Sequence, residues 1–135
     1  MVLEVLWQRV TVDAQTCERC GDTGGSVRRA VERLRQVLAP RGMAVALTEK
    51  TLPPFAVAES NRVFLGGVAL EQLLGAEVLL NHCASCCELL GAQTDCRALR
   101  LEGRVYEALP EELIVRAGLL AAQALAANTA AARRL

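Results

Sequence analysis

The sequence predicts an α/β domain with a central mixed sheet of about four strands flanked by helices, a Cys-rich loop insertion and a C-terminal helix. Three features point to it: a β-branched opening run, a strongly amphipathic helix after it, and an apolar helix opened by Pro110 near the end. Strand, helix, strand, loop, hairpin and helix is an order that lets parallel and antiparallel strands share a sheet with helices on its faces. The 135 residues are enough for one domain, taken as 1–135.

The first strand is expected over Val2 to Val12, where Val2, Val5, Trp7, Val10 and Val12 alternate with polar residues. Cys17 and Cys20 follow. Gly21, Asp22, Thr23, Gly24 and Gly25 read as a flexible turn, and Ser26 as the N-cap of the next helix. In that helix Val27, Ala30, Val31, Leu34 and Leu38 form one apolar stripe opposite Arg28, Arg29, Glu32, Arg33 and Arg35. Pro40 and Gly42 stop it, and a second strand is expected over Met43 to Leu47. After Pro53 and Pro54, a strand over Arg62 to Leu65 turns at Gly66 and Gly67 into Val68. Ala69 to Leu74 reads as a short helix ending at Gly75, and residues 81–97 as a cysteine-rich loop without a clear period. Ala98 to Leu101 and Arg104 to Ala108 flank Glu102 and Gly103 as a second hairpin. Glu111 and Glu112 then sit in the first turn of the last helix, where the helix dipole favours negative charge. From Ala117 to Ala127 that helix is apolar on nearly every face, which suits burial or a homodimer contact; Ala124 to Leu135 is expected to fray.

Composition removes several function classes. Hydrophobic residues are 53% of the chain and aromatic ones 3%, so the core is aliphatic and alanine-rich. Fifteen basic residues balance fifteen acidic ones, which gives no global attraction for nucleic acid or an anionic membrane. The last helix is read as too short and alanine-rich for a membrane span. No basic leader followed by an apolar stretch precedes the first strand, so the chain is expected in the cytoplasm. There, ordinary thiols stay reduced, and six cysteines argue for metal binding or redox chemistry over structural disulfides. No serine triad, phosphate loop or Rossmann fingerprint is present.

The strand ending at Val12, the motif Cys17-Glu18-Arg19-Cys20 and the helix from Ser26 resemble the opening βαβ unit of the thioredoxin-like superfamily. Asn61 to Val68 and the terminal helix are similar to its second half, and the whole chain resembles an uncharacterised prokaryotic family of small CxxC proteins. The resemblance implies a thioredoxin-like fold in which Cys17 is the nucleophile and Cys20 the resolving thiol. Two intervening residues let one thiolate attack a disulfide while its neighbour resolves the mixed disulfide. Two departures are plain. Thiol-exchange proteins on this fold usually carry a cis-proline facing the dithiol, where this chain has Ser60, Asn61 and Arg62. The five residues between Cys20 and Ser26 also place the dithiol in a loop before the helix, with Arg28 and Arg29 in its first turn, available to a nearby thiolate or bound anion.

Cys17-x-x-Cys20-Gly21 reads equally as a metal knuckle, and Cys83-Ala84-Ser85-Cys86 as a second. Thiolates of Cys17, Cys20, Cys83 and Cys86 would complete a zinc site or hold an iron-sulfur cluster, with His82, Cys87 and Cys96 as further candidates. Adjacent Cys86 and Cys87 also suit a strained, reducible disulfide or a soft ion, and His82 is read chiefly as tuning Cys83. Three functions stay open: thiol-disulfide exchange or redox sensing through Cys17 and Cys20, a metal-binding protein, and an interaction module with structural cysteines. Protein thiols or soft-metal ions are the partners expected. All of these place Cys17 to Cys20 at the solvent-facing tip of the first strand.

Overall fold

A computed structural model describes residues 1–133; Arg134 and Leu135, the end of the segment expected to fray, lie outside the described residues. The chain begins with strand β1 (Val2–Val10), in which Leu3, Val5, Trp7 and Val10 are buried. Each of the aliphatic ones, Leu3, Val5 and Val10, contributes roughly 1.5–3 kcal/mol on leaving water. Val12 is outside the strand and bridges back to Gln15 across a tight turn in which Asp13 and Ala14 hold positive φ.

Helix α1 spans Glu18–Leu38, so the expected glycine-rich turn and Ser26 cap are corrected: residues 21–25 are helical, and Cys17 is the N-cap. Packing explains the glycine. A Cβ at Gly24 would lie 2.2 Å from the ring of Trp7, so Gly24 is required by the close approach of strand and helix. Strand β2 (Ala44–Leu52) outruns its expected end because it pairs with β1 in parallel along its whole length, from Val2–Ala44 to Val10–Leu52.

Strand β3 (Arg62–Leu65) runs antiparallel to β1 and turns through Gly66 and Gly67, both at positive φ, into the two-residue β4 (Val68–Ala69). These strands form a mixed sheet of order β2-β1-β3-β4, in agreement with the expected four. Helix α2 (Leu70–Leu74) ends at Gly75.

The segment expected as a loop is instead structured. Strand β5 (Glu77–His82), helix α3 (Ala84–Leu90), strand β6 (Asp95–Leu101) and strand β7 (Arg104–Tyr106) build a separate antiparallel sheet of order β5-β6-β7, and α3 stops at Gly91 in the left-handed conformation. Helix α4 (Glu111–Arg133) continues through most of the segment expected to fray. Its most apolar window has a mean hydropathy of 1.3, enough by length and composition to cross a bilayer, and 39% of that window is buried inside the fold. The inner residues Ile114, Ala117, Gly118 and Ala121 are buried, with α4 packed against α1. A Cβ at Gly118 would come within 2.6 Å of Leu34, so this helix pair also depends on a glycine.

Candidate functional site

Two segments far apart in sequence meet beyond the end of β1. One carries Cys17 and Cys20 at the start of α1, and the other carries Cys83 and Cys86 around α3 and Cys96 on β6. All six cysteines are free thiols. The sulfurs of Cys17, Cys83 and Cys86 lie within 4.8 Å of one another, and the Cys86 thiol donates to the Cys17 sulfur at 3.3 Å. The two clusters therefore form one site.

The expected solvent-facing dithiol is corrected: Cys17 is 4% exposed and Cys20 2%. Burial follows from α3, whose Ser85 and Leu89 line, with Thr16 and Glu18, a 540 Å³ hollow that reaches Cys17. A second hollow of 360 Å³, bordered by Arg19, His82 and Ser85, reaches Cys83.

The dithiol also belongs to the first turn of α1, not to a preceding loop. Cys17 Sγ accepts the backbone N–H of Cys20 at 3.5 Å and the Cys86 thiol at 3.3 Å, with the Cys20 and Cys83 thiols also close enough to act on it. Led by the Cys20 thiol, these neighbours outweigh burial and lower Cys17 to a pKa of about 5. Cys20 moves the opposite way, chiefly because its proton is held against Cys17 and then because it is buried. Desolvation raises Cys86, and chiefly desolvation holds Cys96 up to about 11. These shifts favour charge on Cys17 and protons on Cys20, Cys86 and Cys96.

Cys20 is not one of the three grouped sulfurs; it lies beside Cys17 and 3.4 Å from Ser60 Oγ, which also accepts the N–H of Val10 at 2.9 Å. Ser60 thereby occupies the position facing the dithiol. Cys96 sits beside Cys83 and Cys86 without joining all three sulfurs. Cys87 points elsewhere, accepting the N–H of Thr94 at 3.2 Å, so it does not share a ligand face with Cys86. His82 is exposed, with Nδ1 4.0 Å from the Cys87 sulfur, which corrects its expected pairing with Cys83.

The basic residues are reassigned as well. Arg28 pairs with Glu49 at 2.7 Å and Arg29 with Glu111 at 3.1 Å, so neither serves a thiolate. Sequence reasoning missed Arg19, the one buried charged residue among those described. It bonds Asn81 Oδ1 at 2.9 Å, His82 O at 3.1 Å and Glu107 at 3.1 Å, and so ties α1 to the second sheet. Its place inside the CxxC motif was the only available signal.

Fold and site define an α/β protein with a buried cysteine cluster, a donor set compatible with metal binding or with redox chemistry. Residues 3–118 match the family described as Domain of unknown function (DUF2703), and the chain belongs to that family. It is 35% identical over 118 residues to an uncharacterized protein of Archaeoglobus fulgidus, a match that covers 84% of this chain and 83% of the relative. No solved structure matches the chain.

Proposed function

We propose that this protein is a thioredoxin-like thiol-disulfide exchange protein acting through Cys17 and Cys20. The observation that carries the reading is the asymmetry of the pair: Cys17 caps α1 as a thiolate, while Cys20, three residues on and next to Ser60, keeps its proton. An attacking and a resolving thiol need this division of labour. Support also comes from topology, because β1, α1 and β2 form a parallel βαβ unit, β3 and β4 complete the sheet antiparallel, and the CxxC pair follows β1.

In the first step the Cys17 thiolate attacks one sulfur of a substrate disulfide, and the other sulfur leaves as a thiolate. In the second step Cys20 gives up its proton and attacks the Cys17 sulfur of the mixed disulfide. The substrate leaves as two thiols and the protein keeps a Cys17–Cys20 disulfide, a two-electron exchange that a thiol reductant such as glutathione reverses in the cytoplasm. Because Cys17 opens only into the hollow beside α3, small or extended disulfides suit it better than folded surfaces.

The test is reduction of a small disulfide such as oxidised glutathione or a dithiobenzoate. Cys17→Ser is expected to abolish turnover, and Cys20→Ser to stall after one attack as a trapped mixed disulfide on Cys17. A Cys17→Ser protein that reduces the substrate at the wild-type rate would sink the proposal.

A further inference from the structure

The three clustered sulfurs are more than a dithiol requires. Cys83 caps helix α3 and Cys86 lies within it, between two strands of the second sheet, and neither takes part in the exchange step, yet they are 2% and 1% exposed and lie with Cys17 in a triangle of 4.8 Å or less. We propose that Cys17, Cys83 and Cys86 form a receptor for a trivalent thiophilic metalloid of the arsenite class, bound through three sulfurs.

Donor number is the first argument. Among the described residues the group contains three sulfurs and no carboxylate or imidazole, whereas a structural zinc site takes four ligands and a [2Fe-2S] cluster four. Charge is the second. Three thiolates around a trivalent centre give a neutral complex, while around zinc they leave one negative charge and around copper(I) two. A buried net charge is expensive unless it is paired, and the only buried cation described, Arg19, is already committed to Asn81, His82 O and Glu107. Spacing is the third. The 3.3 Å between Cys17 and Cys86 is shorter than the sulfur-sulfur edge of about 3.8 Å that a tetrahedral zinc with bonds of about 2.3 Å imposes. It suits a pyramidal centre whose bond angles are nearer a right angle. The two hollows that reach Cys17 and Cys83 supply routes in.

The binding reaction balances without electron transfer. Arsenious acid carries three hydroxyls; each is displaced by one sulfur and leaves with one thiol proton as water. Where Cys17 starts as a thiolate, the third hydroxyl leaves as hydroxide. The reaction shares Cys17 with disulfide exchange, so an oxidised Cys17–Cys20 pair lacks one of the three ligands.

The experiment uses the reduced full-length protein under anaerobic conditions with sodium arsenite. The expected result is one arsenic per chain, a mass gain of one arsenic less three hydrogens, three sulfur neighbours by X-ray absorption, and selective protection of Cys17, Cys83 and Cys86 from alkylation. Cys83→Ser and Cys86→Ser should each lower arsenite affinity at least tenfold. Should either fail to fold, the mass gain and the three-sulfur coordination of the wild-type adduct decide alone. Cys20→Ser separates this proposal from the exchange reading: it should stop disulfide turnover while keeping the three-sulfur adduct. A two-sulfur adduct, protection of Cys20 in place of Cys83, or stoichiometric zinc that arsenite fails to displace would overturn the receptor.

Discussion

The two sheets of this molecule are held together by different forces. The four-stranded sheet sits on a dry interior in which Leu3, Val5, Trp7, Leu34, Leu65 and Ile114 are each at most 1% exposed. The three-stranded sheet leaves Val78, Leu80 and Val105 at 39%, 64% and 50% exposure. Its apolar attachment is confined to β6, where Ala98, Leu99 and Leu101 are buried; the rest is polar and sulfurous: Arg19 reaches its backbone, Glu71 bridges Arg62 on β3 and Arg97 on β6 at 3.3 and 2.6 Å, and the cysteines line the seam. An apolar core supplies stability, and a satisfied polar seam supplies position, so the chemistry lies where the two meet.

The largest test of that contrast is Trp7→Ala, which empties the space beneath Gly24. It should cost roughly 3–5 kcal/mol and shift the urea midpoint of the whole molecule. Arg19→Met, by contrast, removes the clamp but keeps volume, with an expected loss of about 2 kcal/mol. Hydrogen exchange should quicken across residues 77–106 and stay slow in β1 and β3; uniform acceleration would show that the sheets do not differ in this way.

A smaller effect comes from pH. Because Cys17 falls from 9.0 unfolded to about 5 folded, the folded state has lost that proton between these values while the unfolded state retains it. Its contribution is therefore complete above pH 9 and vanishes as the pH drops through 5, with a slope of at most about 1.4 kcal/mol per pH unit. Above pH 9 the raised Cys20, Cys86 and Cys96 work against the fold as their unfolded counterparts ionise. Urea unfolding of wild type and Cys17→Ser should diverge between pH 5 and 9; parallel curves would mean that Cys17 keeps its proton.

How much was legible in the sequence follows the same division. β1 and the stripe of α1 announce themselves through apolar periodicity, because a dry interior imposes it, the Gly66-Gly67 hairpin through its turn residues, and α4 through Pro110 and its first-turn acids. The start of α1 was hidden because Gly24 looks like a turn residue when its glycine is demanded by Trp7. β5 and α3 were hidden because β5 has no buried face and α3 buries a single cysteine, Cys86, so neither shows a hydrophobic pattern. The meeting of Cys17 with Cys86 is a tertiary contact: the two Cys-x-x-Cys spacings suggested a shared site, but only the fold selects Cys17, Cys83 and Cys86 and leaves Cys20 out of the group. Two faint signals were present in the Val78-Leu79-Leu80 run and in the helix-ending Gly91.

The contact between Cys17 and Cys86 spans 69 positions of chain. Whatever atom comes to bridge these sulfurs acts as a rivet, closing a long loop in the unfolded chain and removing about 4 kcal/mol of its conformational freedom. Occupancy of the sulfur site would thus be felt as mechanical fastening of the polar sheet to the apolar one.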